Sequence, residues 1–496
     1  AVQELSQELN ELRRIAQLEK QIAELEKALE DGDFRGAINE RKKKAPKSRK
    51  IEKLEAKKRK LQYELRKKQR ELEEENFAFD YTIPFFGKKL RIKASKGLLK
   101  DLYGYPRMML AMADMSAVLR QSLWVTARHP LIMAKVFKDC FMTFFKEATS
   151  NEIDIYCQTT ADSEVYLRED GSKISMRELG LFIAEIDGGV TAGEETFYSR
   201  MDERLEGLLT RAGEKIGLPK LGVIARPARV LRRASERHMV NYINMTRIGV
   251  MEAFLNEHPD ASEEAVRAYA EIINIGTGRG NLDKFASNMD TLSILFFSPR
   301  FTMSRIQLAP RTIQTALKYP ELRKELSYTW FSYLGTGSTV LVLASMMGAD
   351  VGDDPEGADW GKIVVGDRRW DIWGGMQQPM RIVAMGVAKG FSEDHEDLDL
   401  WRGASHFVKW KLAPPFGITY EYIYGKDWVT QDDVSKLDTT FSAVTPIVVQ
   451  SLNEGYKNGL NAWEQATITV PEFFGVGSSV YDKKSKSSKK SGRASI

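Results

Sequence analysis

A chain of 496 residues with 43% hydrophobic side chains is long enough for two or three domains with proper cores. Its formal net charge is only +4, from 73 Lys and Arg against 69 Asp and Glu, so the average surface carries no nucleic-acid signature. Two cysteines, Cys140 and Cys157, exclude a disulfide framework, and five scattered histidines give no zinc spacing.

The first residues are charged and heptad-like, so no signal peptide is expected among them. The opening Ala suggests a processed product or the C-terminal part of a longer polypeptide. Leu18, Ile22, Leu25 and Leu29 follow 4-3-4 spacing, and Leu54, Leu61, Leu65 and Leu72 line one face of a second run. Gly, Pro and Ser break the pattern between them. Residues 1–76 are therefore expected to form a basic coiled-coil helical hairpin, with a parallel oligomeric coiled coil as the other solution. Within residues 41–70 stand 16 Lys and Arg against 3 Asp and Glu. Arg41, Lys42, Lys43, Lys44, Lys47, Arg49, Lys50, Lys57, Lys58, Arg59 and Lys60 are candidates for contacting DNA phosphates or anionic lipid head groups; a solvated helix face is the plainer reading.

"FAFDYTIPFFGKKLRIKA" alternates and breaks at FGKK, predicting a β-hairpin connector over 77–98. A helical domain is expected over 99–310. Two amphipathic helices separated by Pro130 come first, then a possible strand pair at "EIDIYCQ" and "SEVYLRED". A helix over Ser235–Pro259 follows with Ser235 as its cap, and another over Ser262–Gly276 capped by Ser and ended by Gly. A second helical domain is expected over 311–476, with a β-hairpin at 362–373 turning at Gly366-Asp367. "YDKKSKSSKKSGRASI" has the composition of a disordered basic tail, placed at 477–496.

Motifs for chemistry are weak. "GTGRG" and "LGTGS" lack the GK[ST] ending that holds phosphate and magnesium. The acidic run Asp350, Asp353, Asp354, Glu356 and Asp359 lacks EF-hand spacing. His395 and His406 do not form HExxH. No catalytic residue, metal ligand or cofactor is expected, and the chain reads as a non-enzyme. The stretch Trp401–Trp428 interleaves aromatic and basic residues, which suits base stacking, a bilayer interface or packing on a core.

One segment, Ser327–Met347, has no charged side chain at all. A membrane span needs about 20 apolar residues. Here the first half is aromatic and hydroxylated, and only "VLVLASMM" is strongly apolar. Lys318, Arg323 and Lys324 precede it, and the acidic run follows. Trp330, Leu334, Gly335, Gly337, Val340, Leu341 and Leu343 are its candidate membrane-active residues, the glycines permitting close helix approach. A buried helix in the resting protein that meets a membrane after a change of state satisfies both readings.

Six stretches occur together in order: "ADMSAVLRQSLWVTARHP", "ASERHMVNYINMTRIGVMEAF", "LFFSPRFTMSRIQL", "ADWGKIVVGDRRWDIWGGMQQPMR", "FVKWKLAPPFGITYEYIYGKDW" and "PEFFGVGSSVY". In this the chain, over about residues 100–481, resembles the large polyvalent protein-associated domain near the C-terminus of giant phage and prophage proteins. Trp124 and the Pro414-Pro415 pair depart from that pattern at packing positions. The resemblance carries no catalytic residue. Together with the spacing along the chain it gives the expected fold: a mainly α protein, with an N-terminal coiled-coil hairpin read from the heptads followed by an irregular multi-helix domain with two or three short β-hairpins. It further implies an internal virion (ejection) protein, packaged in the capsid near the portal and delivered with the genome into the host envelope or cytoplasm. The expected partners are further copies of itself, the portal or other internal virion proteins, phage DNA and the host inner membrane. A DNA-binding or scaffolding module of an injected DNA-processing polyprotein is the alternative.

Overall fold

The computed structural model describes residues 79–85, 88–94, 115–184, 226–282, 298–391, 414–426, 433–439, 447–457 and 461–480, apart from single positions within them. The coiled-coil core positions, the basic block over 41–60 and the tail beyond 480 lie outside the described residues. The expected connector hairpin is present: β1 (Phe79–Phe85) pairs antiparallel with β2 (Lys88–Ala94), with Phe85 opposite Lys88.

Past residue 115 the architecture is helical. The predicted helix before Pro130 is interrupted, because Ser122 competes with the ladder. Its hydroxyl donates to the carbonyls of Ala117 (3.1 Å) and Val118 (2.9 Å). A π-helical turn, Ala117–Gln121, therefore gives way to a short helix, Leu123–Thr126. Pro130 then opens α1 (Pro130–Phe141), where its fixed φ and missing N–H cost nothing.

The strand expected at "EIDIYCQ" is instead part of helix α2 (Glu147–Ala161). Its alternating isoleucines imitate a strand, but its buried residues are Ser150, Cys157, Gln158, Thr160 and Ala161, of which 150, 157 and 161 fall in line at helical spacing. Asn241 of the facing helix fixes the docking, donating to the Ser150 hydroxyl at 2.8 Å. The real hairpin lies one step on, β3 (Glu164–Leu167) with β4 (Lys173–Ser175).

α3 (Arg226–Glu257) is longer than expected and runs straight through Ser235, which is buried mid-helix and donates back to the Leu231 carbonyl at 3.0 Å. It was a cap by residue type only. α4 (Glu263–Gly276) does start on the expected cap, with Ser262 Oγ accepting from the Ala265 N–H. Its stop is displaced: Gly276 is still helical, and the left-handed residue is Gly278, at φ 95°.

α5 (Pro299–Lys318) turns through Tyr319–Leu322 into α6 (Arg323–Met346). A domain boundary at 310/311 falls inside α5. Core residues from Trp124 to Met376 also form one cluster that includes Ile248, Phe254, Tyr269, Leu308, Leu326 and Tyr333, so the described part of 99–310 and the helices after it share a core.

After α6 a four-stranded antiparallel sheet forms in the order β5 (Asp350–Val351), β6 (Ile363–Val365), β7 (Arg368–Asp371), β8 (Gly477–Val480). The predicted turn holds, Gly366 taking φ 63°. Residues 477–480, expected as the start of a disordered tail, are strand instead, Gly477 pairing with Asp371 and Val480 with Arg368. That pairing is assisted upstream, where the carbonyls of Phe473 and Phe474 accept from Met115 N (2.9 Å) and Leu119 N (3.2 Å). Between β7 and β8 lie α7 (Gln377–Phe391), α8 (Pro414–Tyr424), α9 (Ile447–Lys457) and α10 (Ala462–Phe473).

The centre is unusually polar. A strap without regular structure, Leu179–Ala184, is buried against α3 and α4, and side chains replace the ladder it lacks. Asn244 makes a two-way bond with Ala184, accepting its N–H at 3.0 Å and donating to its C=O at 2.7 Å. Asn274 likewise accepts from Phe182 N (3.0 Å) and donates to Gly180 O (2.8 Å). Arg247, among the largest fully buried side chains, donates to Phe182 O at 3.0 Å and to Thr277 Oγ1 at 2.8 Å.

Candidate functional site: the uncharged helix and its anchors

α6 carries the uncharged stretch. Its buried residues, Leu326, Thr329, Tyr333, Gly337 and Ala344, form one narrow stripe at 3-, 4- and 7-residue steps. Everything outside that stripe is wholly or partly exposed, save Glu325 at the first turn, so the helix lies on the molecule rather than inside it.

Three anchors hold the stripe down. At the N-terminal turn the buried Glu325 receives Arg128 at 3.1 Å, lies 3.7 Å from His129 Nε2, and accepts from Tyr269 Oη at 3.4 Å. Burial pushes the Glu325 carboxyl up, but His129 and Arg128 outweigh it and hold the group below its ordinary value. Arg128 also reaches Glu257 at 3.5 Å. Glu257, His258 and Glu325 each bring a possible metal-ligating atom within 4.8 Å of the others. That grouping joins the end of α3 to the start of α6 and has no spacing in the sequence that would announce it. The Arg128 guanidinium already reaches both of its carboxylates.

In the middle, aromatic rings stack edge to face in a chain. Trp124 to Trp330 is 5.4 Å, Trp330 to Tyr333 6.0 Å, and Tyr333 to Trp373 5.7 Å between centroids. Tyr333 Oη donates to the Trp373 carbonyl at 2.8 Å, and Trp373 Nε1 donates to Gly361 O at 2.7 Å. Burial drives the Tyr333 phenol far above its ordinary pKa, so it stays a donor. Gly337 faces Trp373 so closely that a Cβ there would overlap the indole. At the C-terminal end Gly348, at φ 90°, turns the chain, Ala349 N donates to Ala344 O at 3.0 Å, and β5 begins. Beyond it Asp359 pairs with Arg369 of β7 at 3.2 Å, tying the acidic run to the sheet.

The seven residues singled out in the sequence therefore separate. Trp330 and Leu341 pack against the core, and Gly337 admits Trp373. Leu334, Val340 and Leu343 are exposed, and Gly335 opens on empty space. Among the described residues no helix is long and apolar enough to cross a membrane. The aromatic stretch is described only in part; in α8 the rings of Tyr420 and Tyr424 lie 4.6 Å apart.

No family model, curated protein or solved structure matches the chain.

Proposed function

We propose that this chain is a phage internal virion protein, stored in the capsid near the portal, delivered with the genome, and assisting DNA passage across the host envelope without catalysis. The order of the six motifs supports the virion setting. The observation that supports the membrane step is the outer surface of α6: a helix of 24 residues, uncharged from Ser327 onward, held by one stripe and three anchors. Since this helix falls short of a span, its contact with a bilayer is along its exposed face, near the level of the head groups. The basic block over 41–60 supplies the attraction to DNA or anionic lipid.

Flotation of the full chain with anionic and neutral vesicles, at low and high salt, tests this. Flotation with both lipids at high salt, lost in Leu343→Asp, is the expected result; Leu343 is exposed, so the substitution spares the core. Flotation only with anionic vesicles at low salt assigns the contact to the basic block. Absence of flotation, with strongly salt-dependent DNA binding, replaces the membrane role with the DNA-binding or scaffolding one, which the 16 Lys and Arg of residues 41–70 favour.

A further inference from the structure

The face of α6 turned away from its buried stripe has a pattern of its own. Tyr328 (44% exposed), Phe331 (72%), Val342 (58%) and Met346 (79%) stand on it, with Gly335 and Ser338 between the two apolar pairs. At 100° per residue these lie on one side of the helix, opposite Tyr333 and Gly337. Large residues stand toward both ends and small ones in the middle.

The ends carry opposite charge. Exposed Arg323 and Lys324 mark the N-terminal end, where Arg323 is held in place by donating to the carbonyls of Ala316 (2.8 Å) and Leu317 (3.4 Å) of α5. The nearby acid, Glu321, is turned toward the Ser262 cap, accepting its hydroxyl at 2.7 Å. Exposed Asp350 and Asp353 mark the other end.

From this pattern we infer that α6 is a self-complementary docking face for a second copy of the chain, the two helices running antiparallel about a two-fold axis between Thr336 and Gly337. In that register Phe331 meets Val342 of the second copy, Gly335 meets Ser338, and Tyr328 meets Ser345. Each of these pairs is equidistant from the axis along the sequence. Small faces small at the crossing, where helix axes approach most closely, and large side chains fill the divergence on either side. The two-fold operation brings basic end to acidic end twice. A parallel pair would set Phe331 on Phe331 and like charge on like charge. A bilayer is matched less well than a second copy, because Ser327, Ser338 and Ser345 put hydroxyls on the same face. The pairing does not depend on the membrane step; if both hold, the stored dimer covers the surface that later meets lipid.

Phe331→Cys and Val342→Cys, co-expressed as differently tagged full chains and oxidised, test the register. The native thiols do not interfere, as Cys140 and Cys157 are both 0% exposed. The expected result is a disulfide between the two variants, about ten-fold more abundant than in either alone, since identical positions would lie roughly 16 Å apart along the axis, beyond disulfide reach. Cross-linking of Phe331→Cys with itself would mean a parallel pair and overturns the proposal. So does no cross-link at all, even if the chain is dimeric through other segments. A polarity-sensitive probe attached to the thiol of the Phe331→Cys variant that responds only to vesicles, again without cross-link, would assign the face to lipid and likewise overturn it.

Discussion

Gly335 and Gly337 sit two residues apart in one helix and should respond to alanine in opposite directions. At Gly335 a Cβ meets nothing within 4 Å. Alanine there gains the helical preference that glycine lacks, about 0.5–1 kcal/mol of stability. At Gly337 the same methyl enters the volume of the Trp373 six-membered ring. The indole has little room to yield. Its Nε1 donates to Gly361 O at 2.7 Å, its backbone N–H to Asp371 Oδ1 at 2.9 Å, and its carbonyl accepts from Tyr333 at 2.8 Å. Overpacking of this kind costs about 1–3 kcal/mol, which outweighs the helical gain. The helical gain is common to both, so the two variants should differ by roughly 1–3 kcal/mol, Gly335→Ala above the parent and Gly337→Ala below it. Denaturant titration followed by far-UV dichroism and tryptophan fluorescence measures the difference. If Gly337→Ala proves as stable as Gly335→Ala, α6 is not seated on Trp373 and the account of its anchoring fails.

Two further outcomes follow from the polar interior. Asn244→Ala leaves the buried Ala184 N–H without its partner, while Gln158 Nε2, at 2.9 Å, still serves the Ala184 carbonyl; one unpaired buried donor should cost roughly 1–3 kcal/mol, and amide exchange at Ala184 no faster than in the parent would contradict it. His238 is buried in α3, and burial lowers its pKa from 6.5 to about 4 despite the Cys140 carbonyl 3.2 Å from its Nδ1. The unfolded chain then binds the proton first as pH falls, so this stability is full above pH 6.5 and is lost as pH drops toward 4; at about 1.4 kcal/mol per pH unit the loss is roughly 3 kcal/mol. His238→Asn should flatten that part of the profile, and an unchanged slope would show that the ring is not shielded.

Local rules carried the reading wherever the deciding partners were neighbours in sequence. Ser262 caps α4 because its hydroxyl needs only the N–H three residues on. The 363–371 hairpin turns where Gly366 permits a left-handed residue, and the long uncharged run over 327–347 is helical as its composition implied. The errors share a different cause. "EIDIYCQ" alternates like a strand, yet it is helix, with Cys157 and Gln158 the residues of that stretch turned into the core; Ser235 had the chemistry of a cap, yet the helix began nine residues earlier. Gly477–Val480 looked like the start of a tail, but β7 offered it an open edge. The Glu325 anchor draws on residues 128, 129, 257 and 269, and no spacing could have gathered them. Periodicity, capping and turn chemistry determined the elements, because those interactions close within a few residues. Which face of the uncharged helix is covered, and which of its two glycines is needed there, was decided only in three dimensions, by Trp373 arriving against one side of it.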